Sequence, residues 1–427
     1  MRNVHHFRTL LNLVSSPRIV FLVALTARLW VLFQLLPNNA WRYFYQYNEP
    51  SRIAWALVSG FGYSSPWANT PLTPTAQQPP MYPLLLAGIF ELAGSYSYLS
   101  LWIAVALNAV FSALTAVLIL QIGKRTFGTS IGILAAWVWS CWQYEAVVSI
   151  RLWESSLSAL LLTVGLLLLP ELGGSIRPWR WLVFGALAGV AALTNTTLLS
   201  VFWLFWMWLW IGYRRRGRSC NKPLMASVAV CVLTILPWTI RNYETFRRLV
   251  PMRDNFGLEL WIGNHEGEAR LNGDDFQRMV AEYGRLGELR FMDTKRQIAV
   301  QFIRQHPGSF LRLSAQRFFK YWSAPDGSVW LLVSLLAWQG MIVALWQKGL
   351  EAVPYAIVLV MFPLVYYVTH SGSTYRHPAE PVILMLAACA SVTMVQRFAE
   401  RLRGTQGFTV AEPPRCRDEA YLGPTSR

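Results

Sequence analysis

The stretch FYQYNEPSRIAWALVSGFGYSSPW, residues 44–67, holds a single acidic side chain, Glu49, among aromatic and aliphatic neighbours. Two chemistries fit it. Asn48 before it is a good N-cap and Pro50 after it suits a first helical turn, so Glu49 can simply complement a helix dipole, worth about 0.3–1 kcal/mol. A carboxylate held partly dehydrated beside a membrane can instead act as a general base and take a proton from an incoming hydroxyl. Arginines form a second set. Arg28 lies inside a long apolar run, where an unpaired charge costs roughly 2.5–3.5 kcal/mol on insertion scales and marks a functional candidate. Arg52, Arg151, Arg241 in PWTIRNY and Arg376 in STYRHPAEP fall at the ends of apolar runs. A guanidinium grips phosphate through two parallel bonds, so a ring of them at one depth suits an anionic lipid headgroup, while snorkelling accounts for any one alone. Arg151 and Glu154 in SIRLWESS stand one helical turn apart and form a candidate ion pair. His377, beside Arg376, is a weak candidate for phosphate or metal.

The elements that must position these groups are read from the apolar runs. The chain has 427 residues, 54% apolar and only 14% charged, against roughly 25% charged in soluble proteins. Crossing a hydrocarbon core of ~30 Å takes roughly 20 apolar residues as helix. Ten stretches qualify: 19–37, 97–122, 129–148, 153–170, 181–197, 198–212, 224–240, 327–346, 353–369 and 378–396. The expected fold is therefore an all-α polytopic membrane protein of about ten transmembrane helices. Half of the 38 Lys and Arg lie in the short segments and tails on one side of these spans. That bias predicts cytoplasmic termini, with both long loops outside. The net charge of +16 is thus a topology signal, not a nucleic-acid footprint. The five cysteines offer neither a disulfide framework nor a metal-ligand spacing.

The expected organisation is a cytoplasmic N-terminus (1–18), a membrane domain (19–240) containing the outer loop 38–96, an extracytoplasmic loop (241–326), C-terminal membrane helices (327–396) and a cytoplasmic tail (397–427). In the first loop, EPSRIAWALVS places Ile53, Ala56, Leu57 and Gly60 on one face, which predicts a short interfacial helix stopped by Gly60 and Gly62. MYPLLLAGIFELAG predicts a second. The other long loop carries a helical region over about 274–305 and is expected to form a small cap on the first.

NEPSRIAWALVSGFGYSSPW, PTAQQPPMYPLLLAGIF, PWTIRNYETFRRLVPMRDNFGLELWIGNHEG, HPGSFLRLSAQRF and THSGSTYRHPAEP, in that order, resemble the bacterial family 39 glycosyltransferases. These are C-type membrane enzymes related in fold to protein O-mannosyltransferases and to the aminoarabinose transferase of lipid A. The similarity runs from about residue 20 to 400. It implies a sugar carried on a polyprenyl phosphate at the outer face of the membrane, with Glu49 matching the catalytic base of the first outer loop. Many members have an Asp-Glu pair there. Asn48 stands in the first place here, which leaves a single-base scheme and puts a bridging divalent metal in doubt; no cofactor is certain. The implied donor-phosphate site is Arg241, Arg376 and Arg28, with Asn48, Arg52, Arg151, Glu154 and His377 as supporting candidates. The expected activity is inverting transfer from a polyprenyl-phosphate sugar to a lipid or glycan hydroxyl in the plasma membrane, with no nucleic-acid partner. A transporter or flippase of lipid-linked sugars is the alternative. It would place ionisable groups near mid-membrane on broken helices in two repeated halves.

Overall fold

Long apolar runs with few charges form helices, because only a helix satisfies its own backbone in lipid. The computed structural model describes residues 12–35, 48–67, 70–265, 274–323 and 327–405, and among these the regular structure is all helical. In chain order the helices are α1 (Pro17–Leu35), α2 (Glu49–Val58), α3 (Met81–Ala93), α4 (Tyr98–Thr126), α5 (Thr129–Cys141), α6 (Gln143–Ser149), α7 (Ser155–Gly174), α8 (Pro178–Thr194), α9 (Thr197–Arg215) and α10 (Asn221–Phe246). They continue with α11 (Phe256–Gly263), α12 (Asp274–Leu286), α13 (Glu288–Gln305), α14 (Pro307–Ser323), α15 (Ser328–Lys348), α16 (Val353–Met361), α17 (Leu364–Val368) and α18 (Glu380–Thr405). A 3-10 segment, Ser373–Ala379, leads into α18.

Each of the ten expected stretches is helical, but they are not equally able to cross a bilayer. Among the described residues six segments are long and apolar enough: Pro17–Gln34, Tyr98–Thr126, Ser155–Gly174, Asn221–Phe246, Ser328–Val368 and Thr374–Leu402. Thr129–Cys141 and Pro178–Thr194 are shorter apolar helices, as is Met81–Ala93. The expected span 129–148 breaks at Trp142, whose extended backbone separates α5 from α6. Small residues let the helices meet: a Cβ on Gly132 would run into backbone of Leu120 and Lys124, and one on Gly340 into the Leu386 carbonyl. Close approach of this kind drives helix packing where no hydrophobic effect operates.

Three basic residues expected at a phosphate instead hold helix ends together. Arg28 is fully buried. It donates to the Ser140 and Trp139 carbonyls at 2.8 Å each and to Ser112 Oγ at 2.8 Å. Breaking α5 at Trp142 orphans its last carbonyls, and Arg28 supplies them with donors. Arg376 does the same for α14, donating to the Trp322 carbonyl at 3.1 Å and to Ser334 Oγ at 2.8 Å while ion-paired with Glu380. His377 Nδ1 lies 2.7 Å from a Glu145 carboxylate oxygen.

The second long loop has a core of its own. Leu258, Met279, Val280, Tyr283, Phe291 and Met292 are buried together, and the first loop contributes Trp67 to the same cluster. The expected helical region 274–305 is two helices, α12 and α13, parted at Gly287, whose φ of +73° is open to glycine at little cost.

Candidate functional site

Helix α2 begins where its sequence says it should. The Asn48 side chain accepts from the Ser51 N–H at 3.4 Å, Pro50 sits in the first turn, and Gly60 at φ +82° follows the last turn. That start puts Glu49 in the first turn facing a strap, described over residues 63–67 and 70–78. The strap's two ends are joined by an isolated antiparallel bridge between Ser64 and Pro74. From the strap, the Trp67 indole N–H donates to Glu49 Oε1 at 2.8 Å and the Gln78 amide donates to Oε2 at 2.5 Å. Burial pushes the Glu49 carboxyl above its ordinary value. The two donors and Arg253 pull it down, nearby Glu259 adds to the rise, and the balance is upward.

Glu49 lines a cavity of about 420 Å³ between the strap, the start of α7, the α8–α9 turn, the 251–262 segment and the residues after α17. Its charged and titratable groups are Glu49, Glu154, Arg253, Glu259, His370 and Tyr375, and its walls include Trp67, Trp153, Phe256 and Tyr366. Arg253 donates through Nε to the Gln77 carbonyl at 3.2 Å, and its Nη2 lies 3.6 Å from Glu259 Oε1. Asn255 donates to the same Glu259 oxygen at 2.6 Å. His370 Nδ1 is 2.9 Å from Glu259 Oε2, and His370 Nε2 is 2.9 Å from the Tyr375 hydroxyl. Burial acts to raise Glu259, but bonding and charge from His370, together with Arg253, hold it below the usual glutamate range. Glu154, just before α7, has no such partner charge in contact, and burial raises it to about 7.

Of the residues singled out in the sequence, the fold brings Glu49 and Glu154 to this cavity, with Asn48 capping the helix beneath. The others are spent elsewhere. Arg241 donates from Nη1 to the Thr75 carbonyl at 2.7 Å and from Nη2 to the Tyr63 carbonyl at 2.9 Å, on the outside of the strap. Arg52 stacks on Trp55, 4.1 Å from the ring centre. Arg28, Arg376 and His377 sit in the buried helix junctions. Arg151 is exposed and does not pair with Glu154, because residues 151–154 are not helical and the expected one-turn spacing never forms. The cavity guanidinium is Arg253. Neither it nor Glu259, His370 and Gln78 was singled out, although RDN, LEL and THS lie inside the motifs that carry the family resemblance. Asn195 and Thr197, at the turn between α8 and α9, are joined by the Thr197 N–H donating to Asn195 Oδ1 at 3.1 Å, and they also face the cavity.

Among the described residues no three His, Cys, Asp or Glu side chains converge as a metal donor set. Each Glu49 oxygen accepts one N–H donor and keeps a further lone pair, so these bonds do not close the carboxylate to a divalent cation.

No family model matches the chain, and no curated protein matches it. Solved structures do. The apo oligosaccharyltransferase of Archaeoglobus fulgidus superposes with a TM-score of 0.55 at 12% identity, covering 93% of this chain and 52% of that one. The same enzyme in complex with Zn and sulfate gives 0.53 at 14% identity, covering 91% and 50%. ArnT from Cupriavidus metallidurans bound to undecaprenyl phosphate gives 0.47 at 16%, covering 84% and 57%. The chain spans about half the length of the archaeal enzyme. At these identities the likeness to the archaeal enzyme shows the fold alone: an all-helical, polytopic membrane fold.

Proposed function

We propose that this protein is an integral-membrane glycosyltransferase moving a sugar from a polyprenyl-phosphate donor to an acceptor hydroxyl, with Glu49 as general base. The observation that carries this is one cavity lined by a hydrogen-bonded carboxylate, Glu49, and a guanidinium, Arg253. In this reading the acceptor hydroxyl gives its proton to Glu49 as its oxygen bonds to the anomeric carbon. The bond from that carbon to the phosphate oxygen breaks on the opposite face, its electron pair leaves with the phosphate, and the sugar is inverted. Arg253, which lines the cavity with Glu49, takes over the donor-phosphate role assigned from the sequence to Arg241, Arg376 and Arg28, which bond at the strap neck and in buried helix junctions. It stabilises charge developing on the departing phosphate. The aromatic walls lower the local dielectric and strengthen both interactions relative to water. Glu259 holds His370 and the edge of Arg253, so its work is orientation. No step runs through a metal. Ten spans, cytoplasmic termini and a plasma-membrane location complete the reading, with the site at the outer face.

The test is to incubate purified full-length protein with a panel of polyprenyl-phosphate sugars and follow release of the lipid phosphate. Glu49→Gln should cut turnover by about 10²–10⁴-fold, the usual worth of a general base, with folding retained. A base works ionised and burial lifts this carboxyl, so wild-type turnover should fall on acidification through a pKa above the ordinary glutamate value of 4.5. Release from the Gln variant at the wild-type rate would refute the assignment of Glu49.

A further inference from the structure

Residues 63–67 and 70–78 carry both donors that meet Glu49. Their internal bonds include the Ser65 N–H to the Thr73 carbonyl at 2.9 Å, the Thr75 N–H to the Tyr63 carbonyl at 3.0 Å, the Tyr63 hydroxyl to the Gln78 carbonyl at 2.8 Å, the Thr70 hydroxyl to the Trp67 carbonyl at 2.7 Å and the Gln77 N–H to the Thr75 hydroxyl at 3.0 Å. Ordering each residue of such a segment costs about 1–2 kcal/mol of backbone entropy. Charged side chains from other elements help to offset that cost: Arg253 bonds the Gln77 carbonyl, and two more act at the neck. Arg241, on α10, spans the neck of the strap by donating to the carbonyls of both Tyr63 and Thr75. Glu288, the first residue of α13, accepts the Ala76 N–H at 2.6 Å on Oε1 and the Thr75 hydroxyl on Oε2. Its second oxygen also accepts the Tyr283 hydroxyl at 2.9 Å, and the Tyr283 ring packs edge-on against Trp67 at 4.8 Å. Every bond the Glu288 carboxylate makes therefore goes to the strap or to the residue supporting its tryptophan.

We propose that Glu288 and Arg241 are positioning residues for the transfer reaction: they clamp the strap so that Trp67 and Gln78 present their N–H donors to the two Glu49 oxygens. The inference rests on the reading of Glu49 as the base. A buried carboxylate is a poor device for stability alone, since apolar replacements of buried ionic groups are often neutral or stabilising. A carboxylate and a guanidinium bonding adjacent peptide groups do set register, because each fixes direction as well as distance. Releasing the clamp loosens two hydrogen bonds that favour the ionised base, and its pKa rises. The other groups facing Glu49 are Arg253 and Glu259 on the 251–263 segment, Glu154 before α7, and His370 and Tyr375 beyond α17. None of these bonds to Glu288. Arg253 bonds the strap through the Gln77 carbonyl and also contacts Glu259, so its second contact holds it at the cavity in the variants.

The experiment measures pH profiles of kcat/KM for the full-length protein and for Glu288→Ala, Glu288→Gln and Thr75→Val. Glu288→Ala should lower kcat by about tenfold or more with donor KM changed by less than about twofold, since the phosphate stays with Arg253. Its acidic limb should move to higher pH by at least roughly half a unit. Glu288→Gln keeps an acceptor for the Ala76 N–H and should fall between Ala and wild type. Thr75→Val removes the hydroxyl's bond to Glu288 and its acceptance of the Gln77 N–H but keeps the Ala76 N–H bond to Glu288, and should move the limb in the same direction by less. An acidic limb unmoved in every folded variant, with activity tracking only the folded fraction, would overturn the clamp. Should Glu288→Ala fail to fold, the Thr75→Val limb decides. A Glu49→Gln enzyme that stays active refutes the base reading itself, whereas a Glu49-dependent enzyme with unmoved limbs refutes the clamp alone.

Discussion

Three carboxylates of this protein face the same cavity under opposing electrostatics. Glu259 is held ionised by His370 and Arg253, while Glu49 and Glu154 are pushed towards their neutral forms by burial. Pairs whose surroundings drive them apart are the usual mark of divided labour in a site. In the proposed reading Glu259 orients its neighbours and Glu49, lifted above its ordinary value, takes the proton. Arg253 lines the same cavity, tied by one bond to the strap and one contact to Glu259. Replacing Arg253 by Ala should therefore reduce kcat/KM for the lipid-phosphate sugar by about 10²–10³-fold, the range for losing one charge-stabilising donor. Lys should restore part of this as a point charge without the bidentate fork. Steady-state kinetics of both variants on the same donor checks it, and an Ala variant within twofold of wild type would remove Arg253 from the phosphate role.

At the scale of elements, the site is the place where four separately built pieces touch. Helix α2 delivers Glu49, the strap delivers its donors, α11 delivers Glu259, and the residues beyond α17 deliver His370. The last two are held together at Gly263, where α11 lies so close to the Thr369 carbonyl and the Arg317 guanidinium that a Cβ would collide with both. Arg317 donates to the Gly263 carbonyl at 2.9 Å and bonds the Thr369 carbonyl, locking the contact. Gly263→Ala should push α11 away from Thr369 and separate Glu259 from His370. The expected result is a thermal midpoint several degrees lower, consistent with about 1–3 kcal/mol of overpacking, together with a loss of transfer in the protein that remains folded. A variant with wild-type stability and rate would mean that this junction yields without cost.

For the molecule as a whole, charge is sorted between two environments. In the proposed topology the basic residues of short segments gather at one end of the spans, whereas α2, the strap, α11 and α13 lie beyond the other. Lys and Arg retained on the cytoplasmic side would set orientation during insertion, and the proposed site would face outward, where a lipid-borne sugar meets solvent. Fusions at residue 405 should accordingly fluoresce as a green fluorescent protein chimera and show little activity as an alkaline phosphatase chimera. The opposite pattern would invert the topology and place the cavity in the cytoplasm.

Period, length and capping are local properties, and those the sequence determined by itself. The apolar runs became helices, Asn48-Glu49-Pro50 became a helix start, and Glu49, the single acid of residues 44–67, came to face a cavity. What it left undecided was which arginine meets that acid. Arg28, Arg241, Arg376 and Arg253 look alike along the chain, because a guanidinium near a membrane edge carries the same signal whether it binds a substrate or a carbonyl. The difference is made by helix breaks and strap carbonyls that exist only once remote segments pack. The break at Trp142 leaves carbonyls for Arg28, the end of α14 leaves one for Arg376, and the strap leaves two for Arg241. Arg253 keeps donors for the cavity because its neighbours, Gln77 and Glu259, satisfy only part of its fork. Hydrogen-bond satisfaction is settled across hundreds of residues of sequence separation, so the choice among these cations belonged to the tertiary structure alone.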